Sequence, residues 1–192
     1  MTLLILGLVI FLGVHSTRIV ADGWRSATIA RIGERPWKGA YALLSIVGFV
    51  LLVWGYGQAR QLPGLWWSAP TGMRHVTSLL MLVSFVLLVA AYVPRNAIRA
   101  RLHHPMVLAV KVWAFAHLLS NGTPADVLLF GAFLVWAILS FRAARQRDRA
   151  AQTVYAAGTT GGTVTTLVVG IVAWAVFAFW AHGLLIGVRP VG

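Results

Sequence analysis

Histidines within apolar tracts are the residues of this chain best suited to chemistry. Residues 103–122, HHPMVLAVKVWAFAHLLSNG, contain Lys111, His117 and Asn121 in an otherwise apolar sequence. Trp113 and Asn121 lie one helical turn on either side of His117, so the three side chains share a helix face. Ionisable groups at membrane depth are costly, which makes each of them a candidate for a functional site.

Two interpretations of His117 remain open from the sequence. A neutral imidazole can be purely structural if it is hydrogen-bonded to a carbonyl or to an amide side chain. Alternatively, histidines in an apolar bundle suit axial ligation of a planar macrocycle, with aromatic walls and basic residues for its propionates. His15 in the first apolar segment is the second candidate ligand, and Arg18 and Lys111 are the candidate propionate partners.

The expected depths of these histidines differ. With a rise of 1.5 Å per residue, His15 and His117 are expected to lie about 9 Å apart along the membrane normal. His182, beside Gly183 in the last apolar segment, and His75, at the entrance of another, are therefore the alternative partners for His117. For each of these two histidines, a location at the membrane interface without a functional role is the alternative interpretation.

The residue content of the chain gives little support to other kinds of catalytic or metal site. The chain contains only four acidic residues and no cysteine, and it has no HExxH motif. Thiolate metal sites and iron–sulfur clusters are excluded because they need cysteine ligands. A hydrolytic site with a serine, a histidine and an acid at membrane depth is not expected either.

Composition predicts the elements that must position these histidines. Hydrophobic residues make up 59% of the chain, charged residues only 10%, and the mean hydropathy is +0.82. A membrane-spanning helix needs about 20 apolar residues. Long apolar runs without alternation argue against a barrel. The prediction is an all-α, polytopic membrane bundle with about six transmembrane helices, near 1–17, 40–59, 76–93, 105–121, 125–142 and 165–187.

The charge distribution predicts the orientation. Most of the 16 basic residues follow the first, third and fifth apolar segments, and the net charge is +12. By the positive-inside rule, both termini lie on the periplasmic side of a single domain, 1–192, with 141–164 as a cytoplasmic linker without a fixed fold. The basic excess is then explained by topology and by attraction to the lipid bilayer, so nucleic acid is not an expected partner.

Several ordered motifs resemble a known family. FLGVHSTR at 11–18, PRNAI at 94–98, HPMVLAVKVWAFAHLLSNGTPADVLLFGAFLVWAILS at 104–140 and FWAHGLLIGVRP at 179–190 are similar to the NnrU family of bacterial membrane proteins. The similarity covers nearly the whole chain. It implies a bacterial inner-membrane location and a link to denitrification, where NnrU is associated with expression of nitric oxide reductase.

The same family includes the plant 15-cis-zeta-carotene isomerase, which is a haem b protein. Its haem-associated histidines occur in motifs similar to FLGVHS and WAFAHLLSNG, so the resemblance points to His15 and His117. The isomerase has a cysteine three residues before its second histidine, where this chain has Ala114. This departure removes support for a ligand switch and for the isomerase activity linked to it, and it leaves ligation by two histidines open.

The leading hypothesis is a membrane protein that binds one haem b through His117 and His15. It would serve a redox, sensing or isomerisation step on a hydrophobic or gaseous ligand. The alternative is a cofactor-free accessory protein, whose polar groups only specify helix packing and which assists assembly or expression of a respiratory complex such as nitric oxide reductase.

Overall fold

The computed structural model describes residues 1–191, which form helices and no strands. The all-α prediction is therefore confirmed. The helices are α1 (Thr2–Val20), α2 (Asp22–Ile32), α3 (Glu34–Ala59), α4 (Met73–Tyr92), α5 (Ala97–Leu102), α6 (Pro105–Ser120), α7 (Pro124–Ala150), α8 (Thr160–Val176) and α9 (His182–Ile186). A π-helical turn, Phe177–Ala181, joins α8 to α9.

Five helices of the described residues are long and apolar enough to cross a membrane. They are α1, α3, α4, α7 and the continuous helix from α8 to α9. The remaining apolar segment, α6, has 16 residues, which is just below the usual range of about 17–25 for a span. The membrane-bundle class is confirmed, whereas the sixth span and the periplasmic position of both termini stay predictions.

The linker expected at 141–164 is shorter in the structure. Helix α7 continues through the basic stretch to Ala150, and α8 begins at Thr160. Alanine and arginine are strong helix formers, and basic residues in a last helical turn are favourable, so the helix extends beyond its apolar part. The remaining connection is anchored at its end, because the amide of Thr159 donates to the carbonyl of Arg95 at 2.7 Å.

The helices pack in an order that differs from their order in the chain. Helix α3 packs on α1, α1 on α7, α7 on α6, α6 on α4, and α4 on α8. Leu4, Leu52 and Leu129 belong to the buried core that α1, α3 and α7 share. Helix α7 therefore lies between α1, which carries His15, and α6, which carries His117.

Glycines allow α1 and α3 to pack at very short range. A Cβ atom added at Gly55 would lie 2.3 Å from the backbone nitrogen of Leu4, and one added at Gly7 would lie 2.4 Å from that of Leu52. Gly48 packs against α1 in the same way. Small residues of this kind let helix backbones approach closely in membrane proteins. These glycines thus fix the contact that holds α1, and with it His15, in place.

Candidate functional site

His15 lies three quarters of the way along α1 in an aromatic environment. Its Nδ1 lies 2.6 Å from the carbonyl oxygen of Phe11, one turn earlier. The imidazole stacks on the Phe11 ring at 4.2 Å and is bordered by Tyr41 and Trp136 at 5.2 and 6.2 Å. Because the carbonyl can only accept, the proton is on Nδ1, and the lone pair of Nε2 stays available.

His117 has the same local arrangement near the end of α6. Its Nδ1 donates to the carbonyl oxygen of Trp113, one turn earlier, at 2.9 Å. The ring stacks on Phe130 at 4.7 Å and lies 5.4 Å from the Trp113 ring. Each of the two imidazoles therefore presents an available Nε2 within an aromatic surrounding.

Three rings, which we call the aromatic row, connect the two histidines. Phe11 on α1 lies 5.9 Å from Phe133 on α7, and Phe133 lies 5.4 Å from Trp113 on α6. His15 contacts the Phe11 end of the row, and His117 contacts the Trp113 end. The structure thus places both histidines in one continuous aromatic region but separates them by the aromatic row.

The two imidazoles also lie at different levels of the bundle. His15 lies beside Trp136 and His117 beside Phe130, two residues of α7 that are six positions apart. Six residues correspond to about 9 Å along a helix, which agrees with the offset expected from the sequence. The two imidazoles therefore differ in level by more than one helical turn.

The remaining residues of the predicted site lie in three different environments. Arg18 lines a cavity together with His15. Lys111 is half-buried on α6 and makes no hydrogen bond or ion pair within residues 1–191. The side chain of Asn121 donates to the backbone carbonyl of His117 at 2.9 Å and therefore caps α6 rather than holding the imidazole.

The two alternative partners of His117 lie in different environments. His182 directly follows the π-helical turn, and its Nδ1 donates to the carbonyl of Val188 at 2.6 Å. His75 is exposed at the start of α4. Because π-helical turns are frequent at functional sites, His182 is the better placed of the two.

A buried donor beside His15 has no partner. The indole Nε1 of Trp136 is buried and makes no hydrogen bond among the described residues. A buried N–H group without an acceptor costs about 1–3 kcal/mol, and such groups in native proteins generally have a partner. The position of this donor next to the His15 ring favours an acceptor supplied by a bound group.

Sequence reasoning missed a buried carboxylate near His117. Asp126 is only 5% exposed. It accepts hydrogen bonds from the Tyr56 hydroxyl at 2.6 Å and from the Thr123 hydroxyl and amide at 2.6 and 3.0 Å. Tyr56 also packs edge-on against Phe130, the ring that stacks on His117. The T-x-x-D pattern is a capping signal, but nothing local indicates the bond to Tyr56.

A second histidine cluster lies at the opposite end of α6. His104 Nε2 lies 2.7 Å from the Asp148 carboxylate, which also accepts a hydrogen bond from the Tyr155 hydroxyl at 3.0 Å. His103 packs against the Tyr155 ring at 4.2 Å. Partial burial and the bond to Asp148 raise the pKa of Tyr155 above its ordinary value. This cluster fastens the 151–159 connection to α6 and α7.

Fold and composition together define a polytopic membrane protein built only of helices in the described residues. A sequence profile of the family described as NnrU protein matches residues 3–190, and the chain belongs to this family. No curated protein and no solved structure matches the chain. The resemblance seen in the motifs is confirmed, whereas the bacterial inner-membrane location stays a prediction.

Proposed function

We propose that this NnrU-family protein binds one haem b within its helix bundle through His15 and His117. The observation that carries the proposal is the arrangement shared by the two imidazoles. In both, Nδ1 is tied to the carbonyl one turn back and Nε2 is available. A histidine that binds iron through Nε2 would need this tautomer, and the bond at Nδ1 would orient the ring and raise its basicity.

The chain's own residues would hold the cofactor in distinct ways. Nε2 of each histidine would bind iron, and the aromatic rings would exclude water from the porphyrin faces. Arg18 and Lys111 are the cations for the propionates, and the Trp136 N–H is a further donor next to His15. When bound, haem b supplies an iron centre that exchanges one electron or takes a small gaseous ligand.

The Nε2 atoms of His15 and His117 are suitable iron ligands, but the two residues could bind the same haem only after a change in helix packing. The aromatic row occupies the interval between His15 and His117. Ligation by both therefore requires these rings to change rotamer and a helix tilt to take up part of the offset. His182 and His75 are the alternative second ligands if His117 binds without His15.

An optical experiment tests the ligands. Protein purified after haem supplementation is expected to give a haem b spectrum in a reduced-minus-oxidised measurement. His15→Ala and His117→Ala should each lower bound haem by at least about tenfold. The matched control is His103→Ala, in the separate cluster with Tyr155 at the opposite end of α6, which should retain the spectrum.

Each other outcome has a definite meaning. Survival of the spectrum in both His15→Ala and His117→Ala would reject the ligand assignment. Loss in only one of them would assign the iron to that residue alone and reject ligation by two histidines. A folded native protein without a Soret band would reject haem binding altogether.

We further propose a role in nitric oxide metabolism at the bacterial inner membrane, as the family resemblance implies. The haem would serve a redox, sensing or isomerisation step on a hydrophobic or gaseous ligand, in contact with respiratory or nitric oxide reductase components. Membranes of cells lacking the chain should then show reduced nitric oxide reductase activity. Native protein should restore it, and His15→Ala should not.

One observation favours a cofactor-free accessory protein as the second candidate. Buried polar groups between the helices satisfy one another, as in the Ser84 hydroxyl, which donates to the carbonyl of Ala109 at 2.8 Å. The bond between Tyr56 and Asp126 joins α3 to α7 in the same manner. Such bonds specify helix packing without any ligand. Restoration of reductase activity by His15→Ala would favour this candidate.

A further inference from the structure

A cavity of about 250 Å³ lies between α1, α2 and α3, next to His15. Its lining includes Arg18, Arg25, Glu34, Lys38 and Tyr41. Cavities for drug-sized ligands measure about 300–1,000 Å³. This cavity therefore suits a small group, and a porphyrin is too large to be enclosed in it.

Positive charge exceeds negative charge around this cavity. Lys38 is paired with Glu34 at 2.8 Å. Arg18 and Arg25 both form ion pairs with the same carboxylate, that of Asp22, at N–O distances of 3.8 and 4.0 Å. These distances are longer than those of a charge-assisted hydrogen bond, about 2.7–2.9 Å. The two guanidinium groups therefore keep most of their donors available for a bound anion.

Helix α2 has the features of a segment at a membrane surface. None of its residues is buried, and it carries both charged and apolar side chains. Trp24 of α2 is 59% exposed and packs edge-on against Trp37 at 5.7 Å. Tryptophan is enriched at the interface between bilayer and water. We therefore expect the cavity beside α2 to lie at the level of lipid headgroups.

We propose that this cavity binds the phosphate of an anionic phospholipid. Arginine recognises phosphate through paired N–H donors, so Arg18 and Arg25 would bind it directly. Lys38 would add a point charge, while Tyr41 would contact the adjoining glycerol. The acyl chains would remain in the bilayer, outside the cavity. Arg18 is also the cation proposed for a haem propionate, so the lipid site is tested in protein that contains no haem, where the failure of one proposal can be distinguished from the failure of the other.

Thermal unfolding of the detergent-purified, haem-free protein tests the site. Phosphatidylglycerol should raise the unfolding temperature in a saturable way, because a ligand of the folded state stabilises it. Phosphatidylcholine, whose headgroup has no net charge, should have little effect. Arg25→Gln should weaken the apparent affinity for phosphatidylglycerol by about tenfold, since it removes a charge-assisted bond.

The matched control is Arg31→Gln on the same helix, because Arg31 is exposed and does not line the cavity. It should bind phosphatidylglycerol as the native protein does. Lys38→Gln is a second test variant, in case Arg25→Gln fails to fold, and it should also weaken binding. An equal loss in Arg31→Gln, or an equal response to phosphatidylcholine, would overturn the proposal. Stabilisation by soluble glycerol phosphate at the same concentration would assign the site to a free phosphate and overturn the lipid assignment.

Discussion

Gly55→Ala is expected to lower the free energy of unfolding by about 3 kcal/mol. The added Cβ atom would lie 2.3 Å from the backbone nitrogen of Leu4. Because the obstructing atoms belong to the backbone, no side-chain rotation relieves the clash, and α1 must move away from α3. A denaturant titration in detergent, followed by circular dichroism, measures the loss.

Gly57→Ala is the matched control for this prediction. Gly57 lies two residues further along α3, and a Cβ atom there would meet nothing within 4 Å. Alanine is a better helix former than glycine, so this variant should be neutral or more stable by about 0.5–1 kcal/mol. Similar losses in both variants would show that α1 and α3 do not pack through Gly55.

A movement of α1 also has a consequence for the candidate site. His15 lies on α1, and its ring is held by contacts with Tyr41 of α3 and Trp136 of α7. If haem binds at His15, Gly55→Ala should therefore weaken haem retention although Gly55 touches neither histidine. Gly57→Ala should leave haem retention unchanged.

Asp126→Ala is the second substitution with a large expected effect, a loss of about 3 kcal/mol in unfolding free energy. The carboxylate closes the capping box with Thr123 at the start of α7. It also accepts the hydrogen bond of the Tyr56 hydroxyl. Its removal leaves the amide of Thr123 and the hydroxyl of Tyr56 without their acceptor in a buried region. The same denaturant titration measures this loss.

Two controls separate the parts of this effect. Tyr56→Phe removes only the bond between α3 and α7 and should cost about 1 kcal/mol. Asp22→Ala removes an exposed carboxylate whose ion pairs measure 3.8 and 4.0 Å, so it should cost about 0.5 kcal/mol or less. If Asp126→Ala destabilises no more than Asp22→Ala, the buried network does not stabilise the bundle.

Much of the fold could be predicted because its signals are local. Six apolar segments correspond to the six apolar helical segments of the structure, and Pro105 and Pro124 each lie in the first turn of a helix. Helices α2 and α5 were not predicted, since they are too short or too polar to register as membrane segments. The helical extension of α7 to Ala150 was missed because its residues are polar, although they favour helix.

The candidate site could be predicted only in part. The motifs around His15 and His117 named both residues as candidate ligands, which stays a prediction, and the expected depth difference agrees with the offset of their neighbours on α7. The unpaired donor of Trp136 and the bond between Tyr56 and Asp126 were not foreseen. Both depend on contacts between helices distant in sequence, with Tyr56 and Asp126 separated by 70 positions.

Hydropathy and the pattern of polar residues were sufficient to establish the membrane-bundle class and the polar positions in apolar helices, and the ordered motifs were sufficient to identify the family. The membrane-bundle class and the polar positions follow from hydropathy and from spacings of three or four residues, which act within one helix. The packing of the helices was needed to show that α7 separates α1 from α6 and that an aromatic row lies between His15 and His117. The order of helices depends on how the surfaces of distant segments fit together, and neither hydropathy nor helical periodicity encodes that fit.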